Sequence, residues 1–237
     1  NAMNKAYMEV SAGVKSYSQS IIDTIKEISN QGAYITYPSG RKMSIESAVR
    51  INIVTSVNQT CGKLQLMRAD EMNWDLMELT AHAGARPEHA EWQGKIVSRS
   101  GQKGYLSLED IGYGEVTGFK GVNCGHDWNP YYKGSTRTYT DKELKKLNNQ
   151  TVNYNGQKML LYDAKQLQRK MERQIRQDKK DIAGLQGALT SNNKDLNIEQ
   201  VQKELQDAQA KIKIHNSAFN NFLDETEFRK DYSRLQI

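Results

Sequence analysis

The sequence predicts an α+β fold: a small mixed core of short strands and Gly-rich loops, an N-terminal helix, and a C-terminal antiparallel helical hairpin or coiled coil. Two observations predict it. Glycines crowd the stretch from residue 82 to residue 138 and become rare after residue 140, where lysine, glutamine and asparagine dominate. The hydrophobic fraction of 37% and the mean hydropathy of −0.78 are also low for a single compact globule of 237 residues. We therefore expect one modest core plus solvated helices that carry a narrow apolar stripe.

Changes in composition divide the chain into three predicted segments. Residues 1–29 are expected to form the N-terminal helix, and the first two of them are interpreted as a tag scar and left out of the fold. Residues 30–140 are expected to form the α+β core, and residues 141–237 the helical hairpin arm. The short segment before the first helix suggests a fragment of a larger protein.

The first third of the chain alternates helix and strand signals. A β-hairpin is predicted where residues 33–37 and 41–43 flank a Pro-Ser-Gly turn. Ser44 is a suitable N-cap for a helix over residues 45–71, in which the apolar residues keep helical spacing. Before the hairpin, a helix is predicted over residues 4–29 because its apolar residues are spaced by three or four. These residues are Val14, Tyr17, Ile21 and Ile25.

Short strands and turns are predicted in the middle of the chain. The strand candidates are residues 76–81, 95–98 and 113–119. The frequent glycines between them imply backbone positions with positive φ or close approaches of two chain segments. We expect any chemistry of the protein to lie in this part of the chain.

The arm is predicted from helical periodicity and turn residues. A short helix begins at Asp141, a hairpin turn is predicted at residues 154–157, and a long helix over residues 163–189. After a loop, a second apolar series alternates steps of three and four without a break, as the seam of a paired helix does. Its members are Ile198, Val201, Leu205, Ala208, Ile212, His215, Phe219 and Phe222.

Charge and cysteine usage exclude some classes of protein. A formal net charge of +5 permits contact with DNA or an acidic protein surface without requiring it. Cys61 lies in a predicted helix and Cys124 in a Gly-rich loop, so we expect no disulfide framework and a reducing cytoplasm. No apolar run approaches the ~18 residues of a membrane span, and the N-terminal segment lacks the pattern of a signal peptide. We therefore expect no membrane partner.

Three of the four histidines lie in the glycine-rich segment. They are His82, His89 and His126, with Cys124 two positions before the last of them. Three imidazoles and one thiolate can form a tetrahedral zinc site, and such a structural metal site would stabilise a loop-rich core. Zinc is therefore the candidate cofactor. Because Cys-x-His is not the usual ligand spacing, the alternative interpretation is hydrogen bonding across a packed turn region.

The same residues leave a catalytic interpretation open. A cysteine–histidine or histidine–histidine pair can supply a nucleophile and its base, or the base of a nuclease. Nothing else in the sequence indicates a nucleophile elbow, an oxyanion hole or a pair of catalytic acids. We therefore assign no catalytic residue and do not expect an enzyme. The alternative function is a metal-dependent nuclease-like enzyme, or a DNA-binding module, that uses the His/Cys cluster.

Basic residues are concentrated on the first long helix of the arm. Glu172 and Asp178 interrupt them, and charged helix faces are usually just solvated. They are nevertheless the candidate contacts to DNA phosphates. These candidates are Arg169, Lys170, Arg173, Arg176 and Lys180. His215 occupies a seam position, where a polar residue more often sets helix register than binds a ligand.

Four stretches together resemble the phage minor capsid protein 2 family. YPSGRK at residues 37–42 and AVRINIVT at residues 48–55 are similar to its entry segment. TAHAGARPEHAEWQG at residues 80–94 resembles its central motif, and GVNCGHDWNPYYKG at residues 121–134 its closing motif. YDAKQLQRKMERQIR at residues 162–176 is similar to its basic helix. The match covers most of the chain between residues 30 and 220.

The resemblance implies a few-copy protein of a tailed-phage head near the portal, distantly related to Mu-type F-like head-morphogenesis proteins. It implies roles in head assembly and in DNA packaging or ejection. The implied locations are the virion and, during assembly, the host cytoplasm. The implied partners are portal and capsid proteins and further copies of the chain through its helices, with DNA as another candidate. Where the family often carries Arg, this chain has Gly125, so no anion-binding role is assigned there. The residues taken as structural within the motifs are Arg50, Arg86, Trp92, Gly94 and Asn123.

Overall fold

The computed structural model describes residues 2–16, 20, 34–190 and 198–237. It divides into two compact units, Asn1–Asn148 and Asn149–Ile237, each with its own core. The fold is α+β, with short antiparallel strands and long helices, as predicted. Within the described ranges, the helices are all too short or too polar to cross a membrane.

The N-terminal helix is shorter than predicted. Helix α1 (Ala2–Ser11) is followed by Gly13, whose φ of +69° stops the helix. The Gly13 amide donates to the Val10 carbonyl and the Val14 amide donates to the Glu9 carbonyl, which is the Schellman arrangement that closes a helix. The prediction of one helix over residues 4–29 is therefore wrong at this point, and Val14 is 71% exposed. The other predicted stripe residues, Tyr17, Ile21 and Ile25, lie outside the described residues.

A hairpin and a long helix follow as predicted. Strands β1 (Tyr34–Thr36) and β2 (Lys42–Ser44) pair antiparallel, with Ile35 opposite Met43. Helix α2 (Ile45–Glu71) begins directly after them. It packs against α1 through a small apolar cluster. The buried members of this cluster are Ala6, Ile45, Val49 and Ile53.

A three-stranded antiparallel sheet forms the centre of the first unit. Strands β3 (Leu76–Leu79), β4 (Ile96–Ser98) and β5 (Trp128–Pro130) are arranged in the order β4-β3-β5. The one-turn helix α3 (Pro87–Ala90) lies between β3 and β4 in the chain. Strand β5 was not predicted, because three residues are too few to show an alternating pattern.

The strand predicted at residues 113–119 is wrong, since this stretch forms turns. Gly112 and Gly114 have φ values of +56° and +79°, which an extended strand does not contain. Gly118 lies so close to the Gly112 carbonyl that a side chain has no room there. The turns place Phe119 in an aromatic core against the sheet. The buried members of this core are Ala69, Met77, Leu79, Trp92, Val97, Ile111, Phe119, Cys124 and Trp128.

The boundary between the units lies after residue 148, whereas the sequence analysis placed it after residue 140. Helix α4 (Asp141–Asn148) belongs to the first unit. Its Leu144 is buried, and Asn148 Nδ2 donates to the Ala90 carbonyl at 3.1 Å. Contacts made after folding, rather than composition, therefore decide to which unit this helix belongs.

The second unit is a β-hairpin followed by two long antiparallel helices. Strands β6 (Thr151–Tyr154) and β7 (Gln157–Leu160) are joined by the predicted Asn-Gly turn, and both turn residues have positive φ. Helices α5 (Leu161–Thr190) and α6 (Ile198–Thr226) pack against each other, and a short 3₁₀ helix (Tyr232–Arg234) follows.

The predicted apolar series faces the inside of this helical pair. Val201, Phe219 and Phe222 are buried, and the other members are half-buried except Ile198, which is 42% exposed. Two buried carboxylates, Glu172 and Asp178, interrupt the apolar face of α5. The seam therefore contains charged groups that need partners within the unit.

Candidate functional site: a buried imidazole–thiol cluster

The edge of the central sheet brings the candidate ligands together. His82 follows the end of β3, and Cys124 and His126 precede the start of β5. Because β3 and β5 pair with Leu79 opposite Trp128, these two chain segments meet at the same place. His89 comes from α3, which Pro87 opens at its first turn.

His89, Cys124 and His126 present three ligand atoms to one another. The Nδ1 atoms of His89 and His126 are 3.3 Å apart, and Cys124 Sγ lies 3.8 Å from His126 Nδ1. All three atoms lie within 4.8 Å of one another. The three residues are only 2%, 5% and 2% exposed, so the cluster is sealed from solvent.

His82 lies beside this group, and neither of its ring nitrogens belongs to it. Its ring stacks on that of His126, with centroids 4.3 Å apart and planes inclined by 26°. A side-chain carbon at Gly125 would lie 3.3 Å from His82 Nε2, so glycine leaves room for this ring. The structure thus brings together three of the four predicted ligands and stacks the fourth against one of them.

The outer ring nitrogens of His89 and His126, their Nε2 atoms, each form a hydrogen bond with an oxygen acceptor. His89 Nε2 lies 2.7 Å from the Thr117 carbonyl, and His126 Nε2 lies 3.0 Å from Gln93 Oε1. The His82 backbone amide also donates to Gln93 Oε1, at 3.0 Å, which identifies that atom as the amide oxygen. Both Nε2 atoms must therefore carry a hydrogen.

A chain of amides supports this assignment. Gln93 Nε2 donates to Asn148 Oδ1, and Asn148 Nδ2 donates to the Ala90 carbonyl. Each member has one consistent direction of donation, so the orientation of both amides is fixed by the network. Gln93 was not among the predicted site residues; its position inside the central motif was the one available signal.

Burial and neighbouring rings disfavour protonation of the cluster. Burial, the nearby imidazoles of His82 and His89, and then Arg86 lower the pKa of His126 to about 3. Burial also lowers the pKa of His89, although its hydrogen bond to the Thr117 carbonyl opposes this shift. Both rings are therefore neutral near neutral pH, which is the form in which imidazole binds metal ions.

Four of the five residues taken as structural lie in the two motifs that form the cluster. Trp92 is buried, and its ring centroid lies 4.5 Å from that of His89 and 4.8 Å from that of His126. Arg86 donates to the Val122 carbonyl, which links the central and closing motifs. Asn123 has a φ of +55°, and Gly94 a φ of +68° next to Leu144. Arg50 is half-buried on α2.

A buried lysine near the cluster was missed by the sequence analysis. Lys120 is 1% exposed, and its Nζ donates to Asn58 Oδ1 at 3.0 Å and to Asp127 Oδ1 at 2.9 Å. It ties α2 to the segment that carries Cys124, since Asn58 Nδ2 also donates to the Cys124 carbonyl. Nothing in the local sequence distinguishes this lysine from a surface one.

The predicted nucleic-acid candidates lie on α5 in the second unit. Arg169 pairs with the buried Glu172 at 3.1 Å, and Arg176 donates to the Arg234 carbonyl. These two side chains therefore help to hold the unit together. Lys170 and Arg173 are exposed, and Lys180 is half-buried.

Comparisons with known proteins agree with the motifs. The chain matches the family model described as "Phage minor capsid protein 2" over residues 1–224. A curated relative from Lactococcus phage LL-H, named "Structural protein", is 31% identical over 196 residues, which cover 76% of this chain and 49% of the relative. The chain thus spans about half the length of this curated relative. No solved structure matches the chain. The chain belongs to the phage minor capsid protein 2 family and is a phage structural protein, a component of the virion.

Proposed function

We propose that this phage structural protein acts near the portal, where it assists head assembly and DNA packaging or ejection. It enters the head in the host cytoplasm and makes its contacts through the second unit. The observation that carries the proposal is the contrast between the two units. The reactive groups of the first unit are buried at 2–5% exposure, whereas the second unit consists largely of solvated helix.

Burial of the cluster disfavours the alternative of a nuclease-like enzyme or a DNA-binding module built on it. A phosphodiester must approach within hydrogen-bond reach of a catalytic base. The ring nitrogens of His89 and His126 instead face each other, the Thr117 carbonyl and the Gln93 side-chain oxygen. The cluster is better suited to holding the unit together than to contacting a polymer.

The helical pair offers a long surface for a protein partner. Helix α5 has 30 residues, which corresponds to a length of about 45 Å. Helix α6 exposes Ile214 at 67%, on the side opposite the buried seam. Single exposed aliphatic residues are common on protein surfaces, so Ile214 supports a contact with portal or capsid protein, or with a second copy of the chain, only together with the long helical surface around it.

Removing the second unit tests the proposal. Heads are assembled with the full chain or with a variant that lacks residues 149–237, and copies per purified head are counted by quantitative mass spectrometry. We expect the full chain at one vertex when it carries a label, and loss of the truncated chain from heads. Ile214→Glu should reduce incorporation, while Lys213→Glu, at the neighbouring exposed position, serves as the matched control. Unchanged incorporation of the truncated chain, or label at every vertex, would contradict the proposal.

DNA contact through α5 is a second candidate, favoured by the exposure of Lys170 and Arg173. If these side chains contact phosphates, DNA affinity should fall steeply with salt, and each lost contact should reduce the slope by roughly 0.9. Lys170→Gln and Arg173→Gln are compared with Lys211→Gln on α6 in salt titrations. Salt-independent or absent binding would rule out this candidate.

A further inference from the structure

The two facing nitrogens of His89 and His126 lack a hydrogen between them. Each Nε2 donates its hydrogen to an oxygen that can only accept, and the tautomer that satisfies these oxygens leaves a bare lone pair on each Nδ1. These lone pairs meet at 3.3 Å inside a sealed core. The Cys124 thiol, 3.8 Å from His126 Nδ1, is a weak donor, so His89 Nδ1 still faces another acceptor where water cannot reach it, which is unfavourable. A cation between them would turn the repulsion into two bonds.

The spacing of the three ligand atoms fits a tetrahedral metal ion. With zinc–nitrogen bonds of about 2.05 Å and a zinc–sulfur bond of about 2.3 Å, tetrahedral angles place two nitrogens about 3.3 Å apart, and nitrogen and sulfur about 3.6 Å apart. The observed separations are 3.3 Å between the Nδ1 atoms and 3.8 Å between Cys124 Sγ and His126 Nδ1. The third separation, between the His89 ligand nitrogen and Cys124 Sγ, lies within 4.8 Å, compared with about 3.6 Å in a tetrahedral zinc site.

The surroundings also resemble those of metal-binding histidines. A histidine ligand usually donates its second ring N–H to a carbonyl or carboxylate, which fixes the tautomer and makes the ligand nitrogen more basic. His89 does this with the Thr117 carbonyl, and His126 does it with Gln93. Hydrogen bonding across a packed turn explains the outer nitrogens, and the Cys124 thiol can donate weakly to His126 Nδ1. The two inner nitrogens still face each other as acceptors at 3.3 Å.

We infer that His89 Nδ1, His126 Nδ1 and Cys124 Sγ bind a zinc ion that holds the first unit together. Two imidazoles and a thiolate favour zinc over calcium or magnesium, which prefer oxygen ligands. His82 contributes no atom to the group, so the protein supplies three of the four ligands of a tetrahedral zinc. The ion closes a chain segment in which His89 and His126 are 37 residues apart, and so ties α3 to the start of β5.

Metal analysis of the full chain tests the inference. The chain is produced in zinc-supplemented medium, and its metal content is measured by mass spectrometry after gel filtration. We expect about one zinc per chain. Cys124→Ser should abolish it, whereas Cys61→Ser, which changes the exposed cysteine on α2, should retain it. A chelator should lower the melting temperature of the Cys61→Ser variant as it does that of the wild type.

Two further variants test the details. Gln93→Leu should weaken zinc affinity about 10–100-fold, because it removes the acceptor that orients His126. Gln93→Glu, which restores an acceptor, should recover affinity. His82→Ala should keep the zinc, and loss of the metal from this variant would overturn the three-ligand assignment.

Cobalt replacement tests the zinc site even if the Cys124→Ser variant does not fold. Cobalt(II) bound by a thiolate gives a charge-transfer absorption band. This band can be measured on the wild-type chain, so the measurement needs no substitution in the buried core. We expect this band in the wild type and in Cys61→Ser. A wild-type chain that folds without zinc, resists chelators and lacks the cobalt–thiolate band would overturn the inference.

Discussion

The carboxylate of Asp178 lies 2.5 Å from Nδ1 of His215, across the two long helices of the second unit. Asp178 is 1% exposed, and it also accepts a hydrogen bond at 3.2 Å from the side-chain amide of Gln174. The heptad spacing predicts His215 in the apolar seam as a residue that sets register. The pair joins one helix to the other at a single level, which is how a buried polar contact selects one alignment of two helices.

Breaking this pair should destabilise the second unit. Asp178→Ala leaves His215 without its acceptor, and we expect a loss of about 1–3 kcal/mol in the free energy of unfolding. Replacing both residues with leucine should cost far less or even stabilise the unit, because no buried charge is left without a partner. Urea unfolding of the single and double variants, followed by amide exchange in α5 and α6, measures the coupling. Asp207→Ala, at an exposed position of α6, is the control, and additive single effects would contradict the prediction.

Gly118 should tolerate no side chain. A β-carbon there would lie 2.0 Å from the Gly112 carbonyl oxygen and 2.7 Å from its carbonyl carbon, both of which belong to the backbone. We expect Gly118→Ala to lower the free energy of unfolding of the first unit by about 3 kcal/mol or more. Thermal and urea unfolding provide the measurement.

Gly101→Ala is the matched control for this prediction. Gly101 has a φ of +77° and nothing within 4 Å of an added β-carbon, so only the backbone conformation opposes alanine. That effect is about 1–2 kcal/mol. An equal or larger loss for Gly101→Ala than for Gly118→Ala would show that the turn around Gly112 can relax.

Acid stability should depend on the hydrogen bond between Ser98 and Asp75. Burial raises the pKa of Asp75, but hydrogen bonds from the Ser98 hydroxyl at 2.7 Å and from Ser100 outweigh it and lower the pKa below its usual value. A carboxyl with a lowered pKa in the folded state stabilises the fold above its unfolded pKa of about 3.9. This contribution is lost as the pH falls through the folded pKa.

Ser98→Ala should therefore destabilise the first unit by about 1–2 kcal/mol at pH 6, and by less as the pH falls below about 4. Urea unfolding at a series of pH values measures this difference. In an Asp75→Asn background, the effect of Ser98→Ala should no longer depend on pH in this range. A difference between wild type and Ser98→Ala that grows toward low pH would have the wrong sign and refute the prediction.

Local sequence patterns determined the helices and hairpins of this protein. Helix α2 begins and ends where its periodicity and its preceding serine indicated, and the Asn155-Gly156 turn joins β6 to β7 because both residues accept positive φ. The family motifs, which are also contiguous in sequence, were sufficient to indicate a phage structural protein. Patterns of this kind need only neighbouring residues, since a helix or a tight turn is stabilised by contacts a few positions apart.

The membership and geometry of the imidazole–thiol cluster were decided only by the tertiary structure. The sequence suggested four ligands, but the pairing of β3 with β5 sets three atoms together and stacks His82 on His126. The tautomers depend on Gln93 and Asn148, which are 55 residues apart in the chain. Short strands such as β5 and buried charges such as Lys120 were likewise missed, because their surroundings come from distant segments. Burial and hydrogen-bond partners depend on contacts between those distant segments. Local periodicity does not encode such contacts.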